Sequence, residues 1–423
     1  MFDYNLLQNE TEKYFNELIN NSKDINLGID IYISFYNQVI KGIESKEHYE
    51  KCFSIINPLF NKYLEFSFPK NLIDKQKNNN KKIIIFLPNI QYDLAHIDFL
   101  YSFLTEIKDQ NYDITIASSF TNINKISKNI LNLKNKNILK NIIHLDFSKF
   151  SSIENFIKLN LNFSCFIVWG IPLIIPLWTK IYSNKVIFVT TKFEYGSFND
   201  LNNAISFQSQ KNKTNIKIGN TNWHRLPPFC PFLKFKEHSK SMDDKLIKLI
   251  SVNRPEKIND PIFLNCLSKI LISNDNAIFY YCGKHQDKIL CDYFASKNLL
   301  SRIKFLGWID PESVIGNFDI FLDSNSLSGI LAVNYFISGM PVVTFNNCLS
   351  YISLNNQKLK NELNHNFSFN EIEYVEYTNK LIRDTNFLMK VTNLQKKSKK
   401  IFIENNSNIA NKFVETINEI NSF

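Results

Sequence analysis

The stretch that decides the fold is "DIFLDSNSLSGILAVNYFISGMPVVTF", Asp319 to Phe345. It opens as a short apolar strand and turns polar through Ser324, Asn325 and Ser326. One glycine, Gly329, then leads into an apolar helical run. That helix is expected to stop at Ser338-Gly339, because glycine readily takes the left-handed backbone that ends a helix. "PVVTF" follows as a second buried strand. Strand, polar turn, helix and strand make one step of a parallel α/β sheet. A glycine at the strand-to-helix turn lets the backbone approach a phosphate closely, and the free amides at the helix start stabilise its charge. Ser326, Ser328, Gly329 and Ile330 are therefore candidates for holding a phosphate group.

The same texture extends on both sides of this stretch. Upstream, "LIKLISV", "AIFYYCG" and "IKFLGWI" read as strands, with "DPIFLNCLSKILIS" as a helix and "PESVIGNF" as a short one. Further back, "KIIIFLP", "YDITIAS", "NIIHLDF", "CFIVWG" and "KVIFVTT" are short apolar runs, as strands buried on both faces require. "AHIDFLYSFLTEIK" and "SIENFIKLNL" lie between them with helical spacing. The first α/β unit is expected over about Lys82 to Asn215, and "NTNWHRLPPFCPF" reads as a stiff linker because of its three prolines. Three helices, roughly Leu6–Asn21, Ile29–Glu44 and Glu47–Phe66, precede the polar stretch "DKQKNNNKK". The expected organisation is a helical region over 1–75, Rossmann-like domains over 82–225 and 240–368, and C-terminal helices over 369–423. The fold class is α/β.

Composition excludes several alternatives. A chain of 423 residues with 44% hydrophobic and 21% charged residues is long and apolar enough for two cores and is not a disordered chain. The net charge of +9 is a modest bias at this length; it fits solvated surface, an anionic substrate or contact with an anionic membrane surface. No nucleic-acid-binding motif accompanies it. The seven cysteines (52, 165, 230, 266, 282, 291 and 348) form no C-x-x-C and read as reduced core residues of a cytoplasmic protein. "MFDYNLLQNETEKYF" lacks the pattern of a signal peptide. "CFIVWGIPLIIPLW" is too short for a membrane span and is broken by Gly170, Pro172 and Pro176. No spacing of His, Cys and carboxylates suggests zinc, and there is no G-x-S-x-G or P-loop.

The second half resembles a known family. "ISVNRPEKI" is similar to the first strand and loop of the nucleotide-sugar domain of GT-B glycosyltransferases, and "YYCGKHQD" to the strand and loop that read the base. "IKFLGWIDPESVIGNFDIFLDS" follows the family's strand, turn, short helix, strand and polar loop. "SGILAVNYFISGMPVVTF" resembles its G-x-x-x-x-[ED]-A-x-x-x-G-x-P-V-V run. The "FLDS" loop and the helical N-terminal region resemble the inverting group of O-GlcNAc transferase and the bacterial cytoplasmic protein N-glycosyltransferases. The match covers about Lys245 to Phe345 well and the first domain only in layout.

The resemblance implies a ligand cleft between two Rossmann-like domains and assigns roles by position. The diphosphate of the donor would lie on Ser326, Ser328, Gly329 and Ile330. Asn334 stands where the family carries the acidic residue that grips the ribose, and Ser326 where retaining relatives carry a second Glu. No D-x-D occurs, so a basic side chain rather than a metal ion is expected to meet the leaving group. Arg254 and Lys257 are the candidates, the alternative being an ordinary surface loop. Gly283, Lys284 and His285 would border the base and diphosphate. Trp308 would pack beside the base or simply anchor its turn. On the acceptor side His96 is the candidate base, with Asp93 and Asp98 as alternatives; a histidine there also serves as a cap or packing residue. Glu194 and Tyr195 are candidates for contacts to sugar or acceptor.

The implied activity is metal-independent, inverting transfer of a hexose from a nucleotide diphosphate sugar, expected to be UDP-linked, to a protein side chain or a glycan. No cofactor is expected. Two other readings stand beside it: a non-catalytic GT-B subunit that binds acceptor polypeptide or supports a partner enzyme, and a nucleotide-sugar epimerase.

Overall fold

The computed structural model describes residues 3–22, 24–40, 46–68, 81–90, 95–119, 125–160, 162–190, 198, 201–207, 215–231, 235–238, 246–283, 287–324, 330–346 and 350–421. The chain forms two compact units. Unit 1 takes residues 1–229 and 408–423, and unit 2 takes residues 230–407.

Unit 1 begins with helices α1 (Tyr4–Asn21), α2 (Ile25–Phe35) and α3 (Lys46–Ser67), with a π-helical turn Tyr36–Ile40 after α2. Asp3 and Asp24 start the first two helices by accepting hydrogen bonds from backbone amides one turn in. The α/β part runs β1 (Lys82–Phe86), α4 (Ala95–Glu106), β2 (Asp113–Ser118), α5 (Lys128–Asn135), β3 (Leu139–His144), α6 (Phe150–Leu159), β4 (Cys165–Trp169), α7 (Ile175–Tyr182) and β5 (Val186–Thr190). Three further strands follow: β6 (Asn203–Ser206), β7 (Asn215–Ile218) and β8 (Thr221–Arg225). The sheet order is β3-β2-β1-β4-β5-β6-β8-β7, parallel except for the β7–β8 hairpin.

The expected linker "NTNWHRLPPFCPF" therefore contains a strand. Burial explains the difference. Trp223 and Thr221 are fully buried, and β8 pairs in parallel with β6. The three prolines begin only after the strand has ended.

Strand alternation divides the side chains of sheet 1 between two cores. Ile84, Phe86, Phe166, Val168 and Phe188 face a core shared with Phe15, Tyr32, Phe60 and Tyr63 of α1–α3 and with Trp178 of α7. Ile83, Ile85, Ile116, Ile167 and Val189 face the other core, which α4 and α5 cover together with Ile409, Phe413 and Ile417.

Unit 2 runs β9 (Ile247–Val252), α8 (Pro255–Ile258), α9 (Pro261–Ser273), β10 (Ala277–Cys282), α10 (Lys288–Ala295), β11 (Ile303–Phe305), β12 (Ile320–Leu322), α11 (Ile330–Ser338) and β13 (Val342–Phe345). It continues with α12 (Tyr351–Leu363), β14 (Ser368–Phe369), α13 (Glu371–Arg383) and α14 (Thr385–Asn421), whose last turns belong to unit 1. The sheet order is β11-β10-β9-β12-β13-β14, all parallel. Numbered from its own first strand, that is 3-2-1-4-5-6, the Rossmann order. "PESVIGNF" gives one 3-10 turn, Pro311–Val314, started by the Asp310 carboxylate.

Gly339 ends α11 at φ +89. Its amide donates to Phe336 O at 3.0 Å and that of Met340 to Tyr335 O at 3.1 Å. α14 is held to the sheet by carboxamides that imitate strand pairing. Gln395 donates to Val342 O and accepts from Val342 N, each at 3.2 Å.

Candidate active site

In both sheets the strand order reverses beside the first strand of the unit. In open α/β sheets the ligand crevice forms there, beyond the carboxyl ends of the strands. In unit 2 those ends belong to β9 and β12.

The turn after β9 is pinned from two sides. Ser251 donates its hydroxyl to Leu322 O of β12, and Asn253 Nδ2 donates to Ser251 Oγ at 3.3 Å. Tyr281 of β10 donates its phenol to Asn253 O at 3.0 Å, and Asn253 N donates to Cys282 O at 3.2 Å. Arg254 follows as the exposed residue that starts α8, and Lys257 lies half-buried on that short helix. Gly283 sits directly over the Tyr281 phenol. A Cβ at this position would stand 2.1 Å from Tyr281 Oη, so no larger residue fits unless the ring moves. Cys282 Sγ donates to Gly307 O at 3.0 Å, which brings the β11 turn alongside; Trp308 is next and is 69% exposed.

β12 ends in a buried polar knot. Asp323 is 1% exposed, and its Oδ2 accepts from Thr344 Oγ1 at 2.9 Å. Its main-chain carbonyl accepts from the Tyr374 phenol at 3.0 Å, and its amide donates to Val343 O at 2.9 Å. Ser350 Oγ, which starts α12, lies 3.3 Å from Thr344 Oγ1. A carboxylate buried at the end of a core strand needs such partners, because leaving it unpaired costs several kcal/mol by rough reckoning. The "FLDS" loop carries part of the resemblance, but nothing in the sequence gives its Asp323 these partners.

Among the other expected donor-side residues, Ile330 opens α11. Asn334 lies one turn further along and is 1% exposed, with its Nδ2 donating to Pro231 O at 3.0 Å and Ile330 O at 2.8 Å. Lys284, His285, Ser326, Ser328 and Gly329 lie outside the described residues.

In unit 1 the reversal falls between β1 and β4. His96, half-buried, is the second residue of α4. Trp169 Nε1, at the end of β4, donates to His96 O at 3.3 Å. Gly170 comes next, and a Cβ built there would stand 3.7 Å from His96 Cβ. His96 is thus placed at the carboxyl edge of the central strands. Asp98 turns to α5, accepting from Asn129 Nδ2 at 2.7 Å. Asp93, Glu194 and Tyr195 lie outside the described residues.

A cavity of about 920 Å3 lies at the opposite, amino edge of β2 and β3, lined by Lys108, Lys134, Lys136 and Lys140 among others. Lys140 pairs with Asp113 at 2.8 Å, and Lys136 donates to Tyr101 Oη at 3.1 Å. The carboxyl ends of α4 and α5 close over this edge, where lysines offset the negative end of the helix dipole.

Among the described residues no group of three or more His, Cys, Asp or Glu is arranged to hold a metal ion. Nor is any helix among them long and apolar enough to cross a membrane. Burial pushes the thiols of Cys52 and Cys266 up to about 11 and that of Cys165 to about 12, so none of these is a nucleophile at neutral pH.

No protein-family model matches this sequence, and no curated protein matches it. Solved structures do match. A mutant of the O-GlcNAc transferase of Thermobaculum terrenum superposes over 98% of this chain and 85% of its own, with a TM-score of 0.61 at 11% identity. The chain has the GT-B fold. TarM, another structure of this GT-B group, covers 80% of this chain and 99% of its own, with a TM-score of 0.54 at 11% identity. A glycosyltransferase from Rickettsia africae covers 81% and 99%, with a TM-score of 0.51 at 13% identity. A mutant of S. aureus TarM, with a TM-score of 0.51 at 11% identity, was solved with UDP and alpha-GlcNAc-glycerol bound. At these identities the GT-B likeness is one of fold.

Proposed function

We propose that this protein is a glycosyltransferase. It takes a sugar, a hexose, from a nucleotide diphosphate donor and passes it to an acceptor with inversion and without metal. The observation that carries this reading is the carboxyl edge of sheet 2. A Rossmann-order sheet reverses there between β9 and β12, and the turns that carry Arg254, Lys257, Gly283 and Trp308 are tied together by the Tyr281–Asn253 and Cys282–Gly307 bonds.

Each residue has a task in that reaction. Trp308 and residues 283–285 take the base. Residues 326, 328 and 329 and the first amides of α11 take the diphosphate. Arg254 and Lys257 offset the charge that builds on the departing diphosphate, in place of a metal ion. His96 deprotonates or orients the acceptor hydroxyl or amide. UDP is the favoured nucleotide, supported by its presence in the TarM complex, and a protein side chain the favoured acceptor, supported by the likeness to O-GlcNAc transferase.

A second reading is a non-catalytic GT-B subunit that binds acceptor polypeptide. It is favoured by the Asn at position 334, whose amide NH2 is engaged by two main-chain carbonyls. Thermal unfolding with millimolar UDP, GDP, ADP, CMP and their sugar conjugates, with and without EDTA, separates the two. The enzyme reading expects one nucleotide to raise the melting temperature by mass action, indifferent to EDTA and abolished in Lys257→Ala. No shift with any nucleotide, together with binding of acceptor peptide, would leave the subunit reading standing.

A further inference from the structure

The resemblance puts a ribose-holding side chain at position 334, but the hydrogen bonds of Asn334 point elsewhere. The chain enters unit 2 at Cys230 and runs beside α11. Pro231 O accepts from Asn334 Nδ2 at 3.0 Å, Phe235 stacks on Tyr335 with ring centroids 5.5 Å apart, and His238 N donates to Ser338 O at 2.8 Å. A second carboxamide grips the same segment from α14. Asn406 Oδ1 accepts from Cys230 N at 3.0 Å and its Nδ2 donates to Cys230 O at 2.6 Å. Asn334 and Asn406 are each 1% exposed.

The geometry points to Asn334 and Asn406 as a paired clamp on the entry segment: they are positioning residues that fix the first turns of α11. The chemistry of the side chain supports this. Asn334 Nδ2 also donates to Ile330 O at 2.8 Å, so one NH2 group ties the first residue of α11 to Pro231. A carboxylate at 334, the residue type expected from the resemblance, has no proton to offer two carbonyl oxygens at these distances. An amide NH2 at 334 is thus what the two carbonyls call for. The first turn of α11 carries the amides assigned above to the diphosphate, so the clamp would act on the diphosphate end of the donor and not on its nucleoside. This inference rests on the donor-site reading.

The test compares wild type with Asn334→Ala, Asn334→Asp and Asn406→Ala, using UDP and uridine as the two probes in calorimetric titrations, with a melting curve for each variant. The clamp expects all three variants to lose about tenfold or more in affinity for UDP while uridine binding stays within twofold. Asn334→Asp should be at least as impaired as Asn334→Ala, and Asn334→Gln should recover part of the loss. A ribose contact at 334 would instead weaken UDP and uridine equally, leave Asn406→Ala unaffected and let Asn334→Asp bind as well as wild type; that pattern overturns the inference. A purely structural role would lower the melting temperature with the UDP-to-uridine ratio unchanged, and it also overturns the inference. If wild type binds neither probe, the UDP-site reading is what fails. In that event the clamp still requires lower melting temperatures in both Asn334→Asp and Asn406→Ala, and unchanged ones would refute it.

Discussion

Sheet 1 and sheet 2 share the strand order 3-2-1-4-5-6 up to the added β8–β7 hairpin, and they finish their carboxyl edges differently. In sheet 2 the edge is closed by buried hydrogen bonds: Ser251 to β12, Asp323 to Thr344, and Tyr374 and Tyr281 to main-chain carbonyls. In sheet 1 the described part of the corresponding edge is tied through main-chain carbonyls: Ser119 donates its hydroxyl to Pro88 O at 2.7 Å, Ser127 N donates to Ile90 O at 2.8 Å and Leu145 N to Ser118 O at 2.7 Å. Trp169 reaches the backbone of His96, while Ser118 Oγ at the end of β2 is buried without a partner among the described residues. One strand order can therefore carry an edge knotted by buried side chains and one tied mostly through the main chain. On the proposed reading the side-chain knot suits a donor of fixed shape.

Four substitutions would break or sharpen this contrast. His96→Ala has the largest expected effect: turnover should fall by roughly 10²- to 10⁴-fold, the usual range for a lost general base, with donor affinity unchanged. Steady-state kinetics with separate donor and acceptor titrations would show it, and an unaltered turnover number would remove His96 from the mechanism. Asp323→Ala should come next, losing about 2–4 kcal/mol because the buried Thr344 hydroxyl loses its carboxylate acceptor. Denaturant unfolding reads this, and a loss under about 0.5 kcal/mol would mean that the knot does not hold the edge. Gly283→Ala should cost about 1–3 kcal/mol and weaken nucleotide binding, since the new methyl displaces Tyr281 from Asn253. A crystal structure of this variant with Tyr281 unmoved would contradict that account. Trp308→Ala should leave stability unaltered, because the side chain is largely exposed, and weaken nucleoside binding by about 1 kcal/mol. Equal affinity in a uridine titration would make Trp308 a turn anchor only.

Much of this architecture was legible in the sequence, and for identifiable reasons. Continuous apolar runs such as "KIIIF" and "CFIVW" mark strands buried on both faces, and the Asp260-Pro261 pair marks the start of α9. "SG" before "MPVVTF" marked the end of α11, which Gly339 does close. β8 was hidden because "TNWHR" has a single apolar residue, Trp223, and sits next to three prolines; only pairing with β6 explains it. The candidate residues could be given a position from the sequence but not a partner. The sequence put His96, Arg254, Lys257, Gly283 and Trp308 at strand ends. It could not show that Tyr281 lies beneath Gly283 or that Asn334 faces Pro231, since both contacts depend on which side of a strand or helix faces which neighbour. Asp323 takes no role from the sequence, because a carboxylate at a strand end looks like any loop residue until its burial is known.

The last turns of α14 have a consequence for biosynthesis. Ile409, Phe413 and Ile417 complete the core on one face of sheet 1, although the rest of unit 1 is made before residue 230. A nascent chain on the ribosome would therefore display the part of that apolar face that α4 and α5 leave open while all of unit 2 is translated, an interval on the order of ten seconds or more at ordinary elongation rates. Exposed apolar surface of this kind is aggregation-prone, and a ribosome stalled within unit 2 would leave a product that cannot seal its first core.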